Sequence, residues 1–331
     1  MPALIIDADR IAATLSMDDC IDIVAGAMRA VSAGTCTLPQ RQAVAAPAGG
    51  ARLGVMPGAL SDPPRLGAKL VALSAARPGV PSHGGLMALF DGESGALLAL
   101  LEAGALTALR TAAASGLATR VLARRDADVL AVLGTGEQAA AHVAAMAAVR
   151  PLREVRVWGR SAEKAAAFLG RIDLPGVASR AVADARDAVA GADIVCTTTR
   201  ATAPILRGAW LTPGTHLNLV GSSFADAAEV DVEAVTRARF FVDHRAAALS
   251  QAGEFLAAKR AGAVDDGWIR AEIGEVLDGR APGREGDADI TLYKSLGTAA
   301  QDLCVAEEIR RRLCGAAGIP TLDLSSGAAA S

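Results

Sequence analysis

The stretch Val129–His142, "VLAVLGTGEQAAAH", decides the fold. Five apolar residues of strand character run into Gly134, Gly136 and Ala139 as G-x-G-x-x-A, and an alanine-rich run of helical length follows. The first glycine permits a tight turn, the second lets backbone approach a pyrophosphate, and the small third residue lets helix pack on strand. A pyrophosphate would then sit on the helix N-terminus, where unpaired N–H groups and the dipole attract anions. A bare G-x-G-x-x-A is a weak signal that a structural turn can mimic. The strand before it, the helix behind it and the rhythm that follows supply the context it needs.

That rhythm alternates. "EVRVWG" (154–159), "ADIVCTTT" (192–199), "THLNLVG" (215–221) and "ARFFVD" (238–243) are further strands, with helices in "EQAAAHVAAMAAV" (137–149), "SAEKAAAFLGRI" (161–172) and "DARDAVAG" (184–191). Alternation of this kind predicts an α/β fold with a doubly wound parallel sheet of Rossmann type. At the end of the second strand an acid would bind the ribose 2′-OH of NAD, and an arginine would favour the 2′-phosphate of NADP. The chain has Trp158-Gly159-Arg160-Ser161 there, with no acid at the tip and Lys164 as a second cation nearby. NADP(H) is therefore favoured over NAD(H), with a merely solvated Arg160 as the competing reading.

Upstream the pattern differs. Ser16 and Asp19 form a capping box, after which Ile21, Val24, Met28 and Val31 recur at helical spacing until Gly34. "RQAVAAP", "ARLGVMPGAL", "LGAKLVALSA" and "GGLMALFD" are short strand-like runs punctuated by Gly and Pro, as in a mostly antiparallel sheet. "LTALRTAAASGLATRVLA" (106–123) reads as a buried helix, and Leu296, Leu303, Ile309 and Leu313 mark a last amphipathic one. The tail "SSGAAAS" is expected to be loose.

Composition narrows the function. The 331 residues are 52% hydrophobic and only 3% aromatic, with a net charge of −3 and no basic block, so a nucleic-acid surface has no electrostatic support and no nucleic-acid partner is expected. No apolar run reaches the roughly 18 residues of a membrane span. The acidic start "MPALIIDADR" lacks the cationic region of a secretion signal, and a cytoplasmic protein is expected. Five cysteines without a CxxC pair and four scattered histidines read as buried thiols and no metal site.

Arg41, Lys69 and Arg110 stand out in the first half. A guanidinium in so apolar a helix needs a partner, and a substrate carboxylate would supply one bidentately. Taken singly, each is better read as a snorkelling or salt-bridged structural residue.

With these residues in view, the chain resembles the ornithine cyclodeaminase and mu-crystallin family. "LGVMPG", "AKLV", "VPSHGG", "LTALRTAAASGLAT", "GTGEQAAAH", "WGRS", "TPGTHLNLVGSS" and "YKSLGTAAQDL" occur in that family's order. The resemblance implies a homodimer. It implies a substrate and dimerisation domain from residues 1–125 plus 300–331, and a dinucleotide-binding domain from 126–299 with the nicotinamide cofactor at the cleft. Arg41, Lys69 and Arg110 would hold the carboxylate of an amino or imino acid, with His83 near the pocket beside Ser82. The cofactor-binding set would be Gly134, Gly136, Glu137, Gln138, Ala139, Trp158, Arg160, Ser161, Lys164, Thr198, Ser222 and Ser223.

Members of that family run different reactions on one theme. Cyclodeaminases carry an aspartate where this chain has Ser223, as the acid/base for amine chemistry. A serine hydroxyl without an activating neighbour cannot replace a carboxylate base near pH 7. The mu-crystallin-like members have serine in a G-x-S-x-x-D segment matched here, and they favour NADPH. The resemblance thus points to reduction of 1-pyrroline-2-carboxylate or 1-piperideine-2-carboxylate to L-proline or L-pipecolate. Ser223 would touch the substrate; the iminium could arrive protonated from solution, and if the enzyme donates the proton, Lys69 or His83 is the candidate. The alternatives are an ornithine or lysine cyclodeaminase, an alanine dehydrogenase-like enzyme, and a non-catalytic binding protein. Asp226 reads as a cap or rim residue.

Overall fold

A computed structural model describes residues 2–47, 50–74 and 83–323, without the side chains of residues 73, 74 and 83. The chain divides into two compact units, Met1–Arg110 with Thr298–Ser331, and Thr111–Gly297.

The first unit contains β1 (Ala3–Ile6), α1 (Ala8–Thr14), α2 (Met17–Ser32), β2 (Cys36–Thr37), β3 (Gln42–Ala45), β4 (Ala51–Ser61), β5 (Pro64–Ser74), β6 (His83–Asp91) and β7 (Leu97–Glu102). α3 (Ala103–Leu122) begins in this unit and continues into the second. Ser16 Oγ accepts from the Asp19 N–H at the start of α2, as the capping pattern requires, while the Asp19 carboxylate accepts from Arg312 instead. With β16 (Thr321–Leu322) at one edge, the sheet runs β16-β1-β7-β6-β5-β4-β2, with β3 also on β4. All its pairs are antiparallel except β1 with β7.

The second unit carries β8 (Val129–Leu133), α4 (Glu137–Val149), β9 (Glu154–Trp158), α5 (Ala162–Leu169), β10 (Ala178–Val182), α6 (Ala185–Val189), β11 (Ile194–Thr197), β12 (His216–Leu219), α7 (Val232–Arg237), β13 (Ala238–Val242), α8 (Arg245–Gln251), α9 (Gly253–Arg260), β14 (Ile269–Glu272), α10 (Ile273–Leu277) and β15 (Ile290–Lys294). Its eight strands are all parallel, in the order β10-β9-β8-β11-β12-β15-β13-β14. The doubly wound sheet is thus present. Strand order reverses between β8 and β11, which is where such sheets open a crevice for ligands beyond their carboxyl ends.

The chain returns to the first unit with α11 (Ala299–Leu313) and β16 (Thr321–Leu322). α11 lies on β4, β5 and β6, with α2 against it. Gly58 and Gly67 permit the approach: a Cβ at Gly58 would lie 2.6 Å from Ala299 Cβ, and one at Gly67 would lie 2.7 Å from Leu303 Cδ2. Leu296 corrects the expected last helix. It precedes the N-cap Thr298 and packs in the core of the second unit.

The thiol expectation is met in part, since Cys20 and Cys196 are buried, Cys36 and Cys304 half-buried, and Cys314 exposed. Among the described residues, no helix is long and apolar enough to cross a membrane. The tail "SSGAAAS" lies outside the described residues.

Candidate active site

The turn after β8 is built for close approach. Gly134 has φ +138°, a conformation that side chains rarely adopt, and its N–H donates to Trp158 O at 2.8 Å. A Cβ there would fall 2.4 Å from Thr198 Oγ1, which sits on the turn at the end of β11. Gly136 is the N-cap of α4, and among the described residues no side chain caps it. A Cβ at Gly136 would meet nothing within 4 Å, so this is open space that any larger residue would fill. Ala139 is fully buried, while Glu137 is exposed and Gln138 half-buried. Bare N–H groups beside a cleared space fit the pyrophosphate of a dinucleotide.

At the end of β9, Trp158 and Ser161 are half-buried, and Arg160 and Lys164 are exposed. Ser161 Oγ accepts from the Lys164 N–H at 3.2 Å as the N-cap of α5. After β12, Ser222 is buried and its hydroxyl donates to Ala227 O at 2.5 Å, closing the turn. Ser223 is half-buried, and Asp226 is exposed. Of the two serines expected to meet a ligand, Ser222 therefore has its proton engaged within the protein.

Beneath this turn lies a buried charge network that sequence reasoning missed. Glu229 accepts from Thr197 Oγ1 (2.6 Å), Thr199 Oγ1 (2.7 Å) and the N–H groups of Thr199 and Gly221 (both 2.8 Å). Burial pushes its carboxyl up, against the charge of Lys294 and the two threonine hydroxyls. Lys294, at the end of β15, donates to Ser222 O at 2.5 Å and lies 3.0 Å from Glu254. Glu254 in turn accepts the Glu229 N–H at 3.1 Å.

The first unit holds the second constellation. Lys69 stands in the middle of β5 on the face covered by α11, and Arg110 on α3; both are buried. Their shared partner is Asp302 in the first turn of α11, also absent from the expected set. Asp302 Oδ1 accepts from Lys69 Nζ and Arg110 Nε, each at 2.9 Å, and Arg110 Nη1 donates to Gln301 Oε1 at 3.0 Å. Asp302 Oδ2 is buried with no protein partner among the described residues. Burial pushes Lys69 down to about 8, aided by the charges of Arg110 and Arg41 and opposed by Asp302. Arg41 is half-buried ahead of β3. The structure thus brings Lys69 and Arg110 onto one carboxylate, with the Arg41 charge felt at Lys69.

His83 opens β6, and its side chain and Ser82 lie outside what is described. The buried His142 and His216 serve structure: His142 Nε2 pairs with Ser115 Oγ at 2.9 Å, His216 Nδ1 with Thr291 Oγ1 at 2.9 Å, and burial holds the two at about 4 and about 3.

With this geometry in hand, comparison with known proteins is informative. The model of the ornithine cyclodeaminase/mu-crystallin family matches residues 2–316. The mouse ketimine reductase mu-crystallin is 38% identical over 257 residues, covering 77% of this chain and 78% of the relative. Among solved structures, the Thermococcus litoralis Δ1-pyrroline-2-carboxylate reductase in complex with NADH and L-proline superposes with a TM-score of 0.89 at 32% identity, over 94% of this chain and 97% of that one. An archaeal alanine dehydrogenase dimer with bound NAD superposes with a TM-score of 0.91 at 29% identity, over 98% and 100%.

Proposed function

The chain belongs to the ornithine cyclodeaminase/mu-crystallin family, and we propose that it is an NAD(P)H-dependent reductase of cyclic ketimines. Its substrates would be 1-pyrroline-2-carboxylate or 1-piperideine-2-carboxylate, and its products L-proline or L-pipecolate. The observation that carries this reading is the buried pair Lys69 and Arg110 sharing one carboxylate oxygen of Asp302. Two cations against one anion leave a positive charge that buried sites rarely tolerate alone, and a substrate carboxylate would complete the balance. Arg110 and Arg41 are the groups to hold that carboxylate, Arg110 through the flat guanidinium that suits it. The names of the mouse and Thermococcus relatives support the same class of substrate.

Reduced nicotinamide, when bound, supplies the hydride that the imine carbon accepts. The protein's task is to orient the imine and manage one proton at its ring nitrogen. Lys69, held at about 8, is protonated at neutral pH and acidic enough to give that proton up, which an ordinary lysine is not. Asp302 keeps the ammonium aimed and stays as its partner once the proton has left. Residue 223 decides between family reactions: with serine in place of a carboxylate, a ready-made imine suits the site better than an amine that must be deaminated. For the cofactor, the exposed Arg160 and the lack of an acid at the end of β9 support NADP(H) over NAD(H), while the solved relatives named above carry NADH and NAD.

The homodimer reading draws support from the sheet of the first unit. Val44, Leu53, Leu66 and Leu86 point away from α11 and are 62%, 42%, 44% and 36% exposed. An open apolar face of this kind fits a second copy of the chain, and the similar archaeal structure is described as a dimer. The catalytic reading is tested by mixing protein, NADPH and 1-pyrroline-2-carboxylate and following the absorbance of the reduced nicotinamide. Oxidation that depends on the imine is expected. No oxidation with either this imine or its six-membered homologue, with NADPH or NADH, would refute the reading.

A further inference from the structure

We propose that Glu229, Lys294 and Glu254 are positioning residues that hold the Gly221–Ser222 backbone as the seat of the nicotinamide half of the cofactor. The inference rests on the dinucleotide reading above and asks what the buried charges beneath that reading are for.

Topology gives the direction. The pyrophosphate fits the turn between β8 and α4, and Arg160 places the adenosine end toward β9. The rest of a dinucleotide must then run the other way across the switch point, over the ends of β11 and β12. Those ends are what the network grips. Glu229 takes both N–H groups that face it, from Thr199 after β11 and from Gly221 after β12, together with the hydroxyls of Thr197 and Thr199. Lys294 takes the Ser222 carbonyl, so the Gly221–Ser222 segment is fixed from its N–H side by an acid and from its C=O side by an ammonium. Glu254 ties the two together by accepting from Lys294 and from the Glu229 N–H. The fit leaves no slack at Gly221, where a Cβ would fall 2.0 Å from Thr199 O and 2.4 Å from Glu229 Oε1.

Stability does not account for the arrangement. All three side chains are buried, with at most 1% exposure, and β15 is otherwise "ITLY" in the middle of an apolar parallel sheet. Apolar residues of the same volume would hold a sheet at least as well as a buried ion pair does. A charged network does something they cannot: it fixes the direction of particular backbone groups. Those groups belong to the strand ends that carry Ser222 and Ser223 toward the crevice.

The test measures affinity of the full-length protein for the reduced dinucleotide and for ADP-ribose, which lacks the nicotinamide, in whichever series (2′-phosphorylated or not) the unmodified protein binds more tightly. The variants are Glu229→Gln and the double change Lys294→Met with Glu254→Gln, which removes the Lys294–Glu254 ion pair as a unit and leaves Glu229 on its hydroxyl and N–H donors. Thr197→Val, which deletes a single bond to Glu229, serves as a milder variant should the others fail to fold. Expected is a loss of about tenfold or more in dinucleotide affinity for the first two, with a smaller loss for Thr197→Val. ADP-ribose affinity should stay within about twofold throughout. Parallel loss of both ligands would make the network merely structural and overturn the proposal, as would no loss of either. An unmodified protein that binds the dinucleotide yet reduces no imine would remove the substrate reading and leave this inference standing. One that binds no dinucleotide would overturn both.

Discussion

Asp302→Asn is the perturbation that bears most on the proposed proton transfer. Asp302 is the one group that supports the Lys69 charge against burial, Arg110 and Arg41. Asparagine keeps the shape and removes the negative charge. A hydrogen bond to a charged group contributes about 1.5–3 kcal/mol, and one pKa unit corresponds to about 1.4 kcal/mol, so Lys69 should fall by about one to two units from its value of about 8. The proton donor is then lost earlier as pH rises. In a profile of kcat/KM for imine reduction against pH, the descending limb should move to lower pH by that amount. Ionisation of the imine itself is common to both proteins, so the difference between the two curves belongs to the enzyme. Stability supplies a second sign check. The folded value of Lys69 lies below its unfolded value of about 10.4, so the unfolded chain binds more protons between the two. The lysine's burial cost is therefore present in full below pH 8 and relieved as pH rises toward 10, and in the variant that relief begins at lower pH. Coincident kinetic limbs, or a limb shifted upward, would refute the assignment of Lys69 as the proton donor.

Three other outcomes follow from the geometry. Arg160→Ala should weaken NADPH by about tenfold or more while leaving NADH nearly unchanged, since a charge-assisted bond to phosphate is what it would remove; equal loss in fluorescence titrations would show that Arg160 does not read a phosphate. Gly136→Val should abolish dinucleotide binding with little change in Tm, because the added side chain meets no protein atom near its Cβ and enters only the space beside α4; retained binding would displace the pyrophosphate from that turn. Leu66→Glu with Leu86→Glu places two charges on the open face of the first sheet and should give a monomer by light scattering where the unmodified chain gives a dimer.

The parts of the fold written in local pattern were legible. "EQAAAHVAAMAAV" coincides with α4, and the apolar runs before Gly134, Gly159, Thr198 and Val220 are β8, β9, β11 and β12. β10 was not legible, because this edge strand is exposed along "ASRA" and carries no apolar alternation. The insertion of β15 between β12 and β13 follows from long-range pairing that no local pattern encodes. Leu296 shows how a periodic position can mislead: it extends the apolar series of α11, yet it belongs to the other core.

The site divides in the same way. Lys69 and Arg110 were visible as cations in apolar surroundings, whereas Asp302 was hidden in a helix rich in other charges. A signal did exist. Asp302 shares a face with Val305, Ala306 and Ile309, so an acid on the buried stripe required a cation across from it. Glu229 sits between the exposed acids Asp226 and Glu233 in sequence, and Glu254 stands in the first turn of a helix, where acids are common, so the two are distinguished only by burial, while Lys294 ends an apolar strand and could have been questioned on that ground. Ser222 illustrates the reverse case, in which a polar residue at a promising strand end serves the turn itself.

In the proposed reaction hydride passes from an added reduced cofactor to the carbon of a preformed imine. The direct measurement uses NADPH (or NADH) carrying deuterium at the transferred position with 1-pyrroline-2-carboxylate, and locates the label in the product by mass spectrometry and NMR. L-Proline with one deuterium at C2 is expected. Proline without label, or ammonia released from ornithine with no reductant added, would contradict it.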